Sequence, residues 1–319
     1  MAQITPTFLF DFQRNLNLKY ANAWARVLNK LWYQRITLVQ PSSSLEELYE
    51  WMLETAQIVL TNSKGSELTF EDLVAVSWRI KNENAGNSIK LNRNEFEDNK
   101  YDRAAKWAAD SGNSGAYWPQ RQAVTLIQNG KTKLCFDGKA FFATDHPVNP
   151  YDDSAGTYSN LFTGKPLNAA NLAAVVAEIM AIKGPNDAPR YLEPSVLMVD
   201  PSNQLTANVL LGAEIFTDPT NVSGGAPATN IIKSGYGLGI PLVVPEFASE
   251  PGVWYLGVQA NQDAFEGAII YQERKPFELT SYTGLTQVDL DRTNDFEWHN
   301  RGRNTAAYGL PYMLFRCEP

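Results

Sequence analysis

The residues best suited to chemistry lie in one stretch that ends in Asp145-His146-Pro147. Asp137 precedes it and the pair Asp152-Asp153 follows, and carboxylates beside an imidazole are typical of zinc sites and of acid–base catalysis. However, the chain has two histidines and two cysteines in total, and neither a His-x-x-x-His nor a Cys-x-x-Cys spacing occurs. We therefore predict a structural turn in which Asp caps and Pro fixes the backbone.

Two glycine motifs are similar to ligand-binding loops, but neither has the required spacing. Gly235-Tyr236-Gly237-Leu238-Gly239 has the wrong spacing for a dinucleotide loop, and a strand-like segment follows where a helix is needed. Gly130-Lys131-Thr132 lacks the upstream glycine of a phosphate loop, because Thr125 stands there. We predict turn glycines, with no catalytic, cofactor-binding or metal-binding residue in the chain.

The arginines near the C-terminus form a third candidate site. Arg292, Arg301 and Arg303 could grip a phosphate, but acidic residues such as Asp295 and Glu297 lie among them. This pattern favours a charge-mixed surface or a network between subunits.

Composition narrows the class of protein further. The chain of 319 residues has 27 basic and 35 acidic residues, which gives a net charge of −8. No basic run is longer than a pair, whereas proteins that bind nucleic acid usually have a basic stripe. Cys135 and Cys317 predict buried thiols rather than a disulfide framework. The start lacks a signal-peptide pattern and no apolar stretch reaches the ~20 residues of a membrane span, so we expect a soluble protein made inside the cell.

The N-terminal part predicts an arm and a projecting hairpin. The first 40 residues read as an extended arm leading into a helix, whose apolar stripe is Tyr20, Trp24, Val27, Leu28 and Leu31. Ser44 and Glu47 form a capping-box pattern that predicts a short helix, with an apolar face of Leu45, Leu48, Tyr49 and Met52. Strands are predicted at 57–61, 74–80 and 88–91, with loops at 62–65 and 82–87. This hairpin has little apolar material of its own, so we expect it to find partners outside its subunit.

The central helices show clear start and stop signals. Residues 98–130 predict two helical pieces interrupted at 110–115, because glycine is unfavourable inside a helix, with Pro119 opening the second piece and Asn129-Gly130 ending it. A further helix is predicted after the cap Asn168. Its apolar stripe is Leu172, Val175, Val176, Ile179 and Met180, and Gly184-Pro185 is its stop.

The remainder reads as mixed and strand-rich. Strands are predicted at 196–199, 241–244, 253–258, 268–271 and 308–316, a helix at 202–211 and a mobile loop at 221–230.

Several segments together resemble a known family. They are Asn92 to Asn99, Cys135 to Pro147, Tyr271 to Phe277, the step Tyr49-Glu50-Trp51 and the closing Arg303 to Arg316. These segments are similar to those of the Mu-like prophage major head subunit (gpT-like) family of tailed-bacteriophage major capsid proteins. The resemblance runs from the arm to the C-terminus, and between Lys183 and Gly252 it rests on the order of elements alone.

The resemblance implies an α+β, HK97-like major capsid protein fold with an N-terminal arm, an E-loop, a P-domain with a long spine helix, and an A-domain. The implied division is 1–56 for the arm, 57–95 for the E-loop, 96–190 for the P-domain, 191–265 for the A-domain, and 266–319 for return strands completing both domains. The two turns around Phe141-Phe142 would then fix the crossing from the spine helix into the P-domain sheet.

The implied function is structural and not enzymatic. Copies of the chain would self-assemble into hexamers and pentamers of an icosahedral virion shell, in the host bacterial cytoplasm, around double-stranded DNA held without sequence-specific binding. Portal, scaffold and decoration proteins are the implied partners, and no membrane is involved. Two alternatives stay open at this point: a nanocompartment shell of the same fold with enzyme cargo, and a metal-dependent hydrolase using Asp145, His146 and Asp152.

Overall fold

The computed structural model describes residues 6–53, 75–98, 102–213, 215–216, 228–229, 236–282 and 295–319. The helices in these ranges are α1 (Pro6–Leu28), α2 (Arg93–Glu97), α3 (Asp102–Asn129), α4 (Ala169–Met180) and α5 (Gln204–Gly212). The first strands are β1 (Thr37–Pro41), β2 (Glu46–Met52), β3 (Ala75–Lys81), β4 (Glu83–Asn92), β5 (His146–Pro147), β6 (Thr157–Tyr158) and β7 (Leu161–Phe162). They are followed by β8 (Pro194–Val199), β9 (Ile215–Phe216), β10 (Ala228–Thr229), β11 (Leu242–Val243), β12 (Trp254–Val258), β13 (Ile269–Tyr282), β14 (Asp295–Tyr308) and β15 (Leu314–Cys317).

A four-stranded sheet in the order β1-β13-β14-β4 carries two of the helices. Strand β1 is parallel to β13, and the other two pairs are antiparallel. Alternate residues of β14, including Phe296 and Trp298, are buried in a cluster with residues of α1 and α3. The indole Nε1 of Trp298 also donates to Gln13 Oε1 on α1 at 2.8 Å. The two helices therefore cover one face of this sheet.

A five-stranded sheet in the order β11-β8-β12-β15-β7 lies at the centre of the larger core. Its strands β8, β12 and β15 are almost fully buried, as expected for a sheet covered on both faces. The buried stripe of α4 belongs to the same cluster. The chain ends inside this sheet, because β15 pairs with β12 on one side and β7 on the other.

Helix α3 is continuous, so the predicted interruption at 110–115 is wrong. A Cβ on Gly112 would lie 2.5 Å from the carbonyl oxygen of Tyr20, and one on Gly115 would lie 2.7 Å from the Trp24 ring. The glycines thus let α1 approach closely, and this tertiary contact outweighs their low helix propensity. Pro119 lies inside the helix instead of opening one. The predicted end is confirmed, since α3 stops at Asn129.

The N-terminal segment is helical from Pro6, so the extended arm predicted over its first part is not observed in the described residues. The buried stripe also differs from the predicted one. Its members are Leu9, Phe12, Leu16, Ala23 and Val27, whereas Leu28 is half exposed. The predicted stripe misses the N-terminal part of this face, although its member Val27 is buried and Tyr20 and Trp24 lie against the α3 glycines.

The capping-box prediction at Ser44–Glu47 is also wrong, because strand β2 occupies residues 46–52. Strand β2 pairs antiparallel with β3, from Glu46↔Lys81 to Met52↔Ala75. The predicted strand at 57–61 and loop at 62–65 lie outside the described residues. The paired part of the hairpin thus begins inside the segment assigned to the arm, while the domain division itself stays a prediction.

Other local predictions have mixed outcomes. The loop predicted at 82–87 is wrong, because β4 begins at Glu83. Asn168 caps α4 as predicted, accepting from the Asn171 N–H at 2.8 Å, although Met180 is exposed instead of buried. The strands near 196–199, 241–244, 253–258 and 268–271 and the helix near 202–211 are confirmed. The segment 308–316, predicted as one strand, holds the end of β14, a turn and most of β15. The mobile loop predicted at 221–230 lies outside the described residues except for β10.

Candidate assembly surfaces

The loop that follows α3 is held by a buried contact between a histidine and an aspartate. His146 Nδ1 lies 2.6 Å from Asp137 Oδ2, with both side chains almost fully buried, and His146 Nε2 lies 3.2 Å from the Phe141 carbonyl oxygen. Both ring nitrogens thus face acceptors, and both contacts are hydrogen bonds when both nitrogens carry hydrogen. The other Asp137 oxygen accepts from the Lys139 N–H at 3.0 Å, which forms the turn at Gly138. These groups join the turn at Gly138 to strand β5, in which His146 and Pro147 pair with β6, so the turn predicted at Asp145-His146-Pro147 is wrong.

The aromatic pair between the turn at Gly138 and strand β5 is buried. Phe141 stacks on Tyr308 with ring centroids 4.6 Å apart, and Phe142 meets the Tyr255 ring at 5.8 Å. Asn160, which is fully buried, donates to the Phe141 carbonyl at 2.6 Å and accepts from the Ala143 N–H at 2.9 Å. The loop is therefore closed by contacts within its own chain.

The other acidic residues considered for a metal or catalytic site, Asp145 and Asp152, bond to groups other than His146. Asp145 is exposed and pairs with Lys139, whose side-chain hydrogen bond lowers the pKa of that carboxyl. Asp152 caps a short turn, where its Oδ1 accepts from the Ser154 N–H and hydroxyl at 2.9 and 2.6 Å. Asp137, and not Asp145, is thus the partner of His146. Within the described ranges, no group of three or more His, Cys, Asp or Glu side chains is placed to hold a metal ion.

The thiols and arginines of the sequence also have defined places. Burial raises the pKa of Cys135 and of Cys317 well above that of a free thiol, which keeps both protonated at neutral pH. Arg301 and Arg303 lie on the sheet face opposite α3, beside His299 and Glu297, while Arg292 lies outside the described residues. The charges there are mixed, as predicted.

A buried arginine that sequence reasoning missed joins three segments. Arg316 on β15 is 2% exposed and contacts both Glu250 carboxylate oxygens, at 2.6 and 3.0 Å, and Glu318 Oε1 at 2.7 Å. Glu318 in turn accepts from Lys131 Nζ at 2.9 Å, just after α3. The cluster ties the end of the chain to the start of the loop. Glu318 is two residues away, but Glu250 lies 66 residues earlier in the sequence, so no local spacing predicts that pair.

The base of the β2–β3 hairpin has two unlike faces. On the inner face, the Trp51 indole donates to the Phe265 carbonyl at 3.1 Å, and the Tyr49 hydroxyl contacts Gln272 Oε1 at 3.1 Å. On the outer face, Leu48 is 53% exposed and lies among the charged side chains of Glu46, Glu50 and Arg79. The hairpin is therefore anchored by one face and leaves Leu48 accessible on the other.

Helix α1 also has one buried face and one exposed face. Leu9, Phe12 and Leu16 are buried against the sheet and α3, whereas Phe10 is 70% exposed and Leu18 is 60% exposed. Exposed large apolar residues on a defined face are typical of surfaces that contact another protein. Among the described helices, none has the length and hydropathy needed to span a membrane.

Comparison with protein families identifies the chain. The family described as phage capsid protein matches residues 121–305, which is more than half of the chain, and the Mu-like prophage major head subunit gpT family matches residues 9–166. The chain belongs to the phage capsid protein family. The resemblance to Mu-like head subunits inferred from the sequence is confirmed.

Curated relatives of this capsid family member agree. It is similar to the major capsid protein of Escherichia phage Mu, with 27% identity over 40% of this chain and 41% of the relative. It is also similar to the Mu-like prophage FluMu major head subunit of Haemophilus influenzae, with 22% identity over 50% of each chain. The aligned region thus spans half or less of each relative.

The fold of this capsid family member also matches solved structures. The procapsid of bacteriophage JBD30 contains a chain that is 19% identical, with a TM-score of 0.53, covering 98% of this chain and 75% of that one. At such identity the likeness shows the fold alone. The predicted α+β, HK97-like fold is confirmed.

Proposed function

We propose that this chain is the major capsid protein of a tailed bacteriophage, and that it acts as a structural subunit and not as an enzyme. The observation that carries the proposal is the phage-capsid match over residues 121–305 on a chain whose fold is HK97-like. The surface of α1 agrees with it, because this helix buries one face and exposes Phe10 and Leu18 on the other. Obligate interfaces between subunits are rich in such residues.

The finer parts of the proposal follow the order of elements. α1 belongs to the arm, the β2–β3 hairpin to the base of the E-loop, and α3 is the spine helix beside the four-stranded sheet of the P-domain. Helix α4 also belongs to the P-domain, whereas α5 and strands β8, β11 and β12 of the five-stranded sheet belong to the A-domain. Copies form hexamers and pentamers of a virion shell, assembled in the bacterial cytoplasm with portal, scaffold and decoration proteins, around double-stranded DNA.

Electron microscopy of the purified chain tests this proposal directly. We expect shells, capsomer rings or tubes in negative stain. A homogeneous small monomer at high protein concentration would contradict the proposal.

The exposed face of α1 provides a matched pair of variants. Changing both Phe10 and Leu18 to Ser should reduce assembly while leaving the folded subunit intact, because both side chains are mostly exposed. Changing the exposed polar residue Lys19 to Ser on the same helix should not. Deleting residues 1–40 is a less selective test, since β1 supplies the buried residue Leu38.

The two alternatives can be separated by their contents and their chemistry. Shells from phage-producing cells should hold nuclease-protected double-stranded DNA, whereas a nanocompartment would hold protein cargo. A hydrolase would require accessible Asp145, His146 and Asp152, but the His146 side chain is fully buried against Asp137. The family match favours neither alternative.

A further inference from the structure

The two edges of the four-stranded sheet differ in how they are protected. At the β1 edge, the Gln262 side chain donates to the Thr37 carbonyl and accepts from the Val39 N–H, each at 3.0 Å, and the strand ends at Pro41. Side-chain capping and proline both prevent another strand from pairing with an edge. The β1 edge is therefore closed.

Along the part of the chain that the structure describes, the β4 edge lacks such protection except at its last residue, where the Asn92 N–H donates to Glu95 Oε2 at 3.4 Å. Its ten residues, Glu83–Asn92, contain no proline and keep one register with β14 from Glu83↔Asn304 to Asn92↔Asp295. Most of them are exposed. In an antiparallel strand every second residue directs its N–H and C=O away from the paired neighbour, so a long regular edge is a template for one more strand.

We propose that the β4 edge pairs with β4 of a second copy, antiparallel, about a two-fold axis at Ser88. This proposal rests on the proposed function, since a shell brings many copies of the chain together. In a shell wall both copies must keep their α1–α3 layer on the same side. The two-fold axis must then stand perpendicular to the sheet, and such an axis places one residue directly opposite its own copy.

Charge and side-chain size select Ser88 as that residue. With the axis at Ser88, Ala85 of one copy lies opposite Leu91 of the other, and Glu83 lies near Arg93, the first residue of α2, just past the end of the other strand. With the axis at Asn87, Glu83 would lie opposite the buried Leu91 instead. Opposite charges and apolar pairs stabilise facing positions of a sheet, and a carboxylate facing leucine does not.

Cysteine cross-linking tests the register of the proposed pair. Directly opposed Cα atoms in an antiparallel pair lie about 4.5–5.5 Å apart, within the range of about 4.4–6.8 Å found in disulfides. In assembled particles under mild oxidation, Ser88→Cys should give a linked dimer on a non-reducing gel. Asn84→Cys alone should not, whereas Asn84→Cys combined with Asn92→Cys should. The native Cys135 and Cys317 are buried, so the wild type should stay unlinked.

Charge substitutions test the contribution of the contact to assembly. Ser88→Lys would place two like charges opposite each other and should reduce particle yield severalfold, while Ser88→Thr should preserve it. Glu83→Lys should also reduce the yield, and adding Arg93→Glu should restore it.

The failure of this proposal is distinct from failure of the proposed function. Normal wild-type shells in which Ser88→Cys remains unlinked, or in which Asn84→Cys alone dimerises, would overturn the β4 pairing and leave the capsid function standing. A wild-type chain that never assembles would refute both.

Discussion

The loop after α3 and the β2–β3 hairpin are both irregular in sequence, yet they are stabilised in opposite ways. The loop buries His146, Phe141 and Asn160 and satisfies their polar atoms with groups of its own chain. The hairpin buries one face through Trp51 and leaves Leu48 exposed on the other. The loop is complete within one subunit, whereas the hairpin has a face available to a second subunit.

This difference separates two properties of the protein. Substitutions in the loop and around the C-terminal strand should change the stability of the single subunit. Substitutions on the open face of the hairpin should change assembly with little effect on that stability. Measuring both quantities on each variant therefore tests the comparison.

The largest expected effect comes from Arg316→Ala. The substitution leaves Glu250 and Glu318 without their buried cation, and breaking a buried ion pair costs about 3–5 kcal/mol. Chemical denaturation of the unassembled subunit measures the loss. Arg79→Ala in the hairpin is the matched control, because its pair with Glu46 is exposed and worth about 0–1 kcal/mol. Equal losses in the two variants would contradict the comparison.

A smaller loss is expected from Asp137→Asn. The amide cannot supply the charged acceptor that faces His146 Nδ1, and an impaired buried hydrogen bond of this kind costs about 1–3 kcal/mol. Asp145→Asn in the same loop should cost much less, because its pair with Lys139 is exposed and screened by solvent. The denaturation midpoints of the two variants measure this ranking, and the reverse order would show that Asp145 anchors the loop.

The hairpin should show its own dependence on acid. Glu47 Oε1 accepts from the Ser43 and Ser44 N–H groups and the Ser42 hydroxyl, and these hydrogen bonds, that of Ser44 first, lower the pKa of Glu47 from 4.5 to about 2. Because the folded pKa is the lower one, the carboxylate stabilises the fold at neutral pH, and this contribution is lost as pH falls through that range. Solvent screening keeps it below about 1 kcal/mol.

Glu47→Gln isolates that contribution. The variant should be slightly less stable than the wild type at neutral pH and equally stable near pH 2. Denaturation curves across this pH range measure the difference. A difference that does not shrink on acidification would rule out the carboxylate as its source.

The smallest effect on subunit stability is expected from Leu48→Ser. The side chain is 53% exposed, and surface substitutions of this kind usually fall within about 0.5 kcal/mol. Particle yield should nevertheless fall, since the serine removes apolar area from the open face. A loss of stability with unchanged assembly would mean that the face packs within its own subunit.

Local signals predicted those elements whose stabilising groups are close in sequence. The Asn168 cap bonds the Asn171 N–H, and the Asn129-Gly130 stop ends α3, so both ends were found. The Ser44–Glu47 pattern predicts the start of a helix, whereas the structure has strand β2 there. Glu47 does bond the serine amides, but the chain then pairs with β3 instead of continuing as a helix.

Such local signals do not predict contacts between residues that are distant in the sequence. Gly112 predicted a break in α3, and only the approach of the Tyr20 backbone explains why a glycine belongs inside that helix. The Arg316–Glu250 pair spans 66 residues, so nothing in the spacing pointed to it. For His146, the sequence offered several acids, and the turn at Gly138 selects Asp137.

By itself, the sequence determined the family and the α+β class, because these depend on residue identities and short spacings. Only the tertiary structure decided that α3 is continuous, that residues 46–52 form a strand, and which acid pairs with His146. The physical reason is one of magnitude. Local preferences are worth about 1 kcal/mol or less per residue, whereas burial of one large side chain is worth about 1.5–3 kcal/mol and depends on partners far away in the chain.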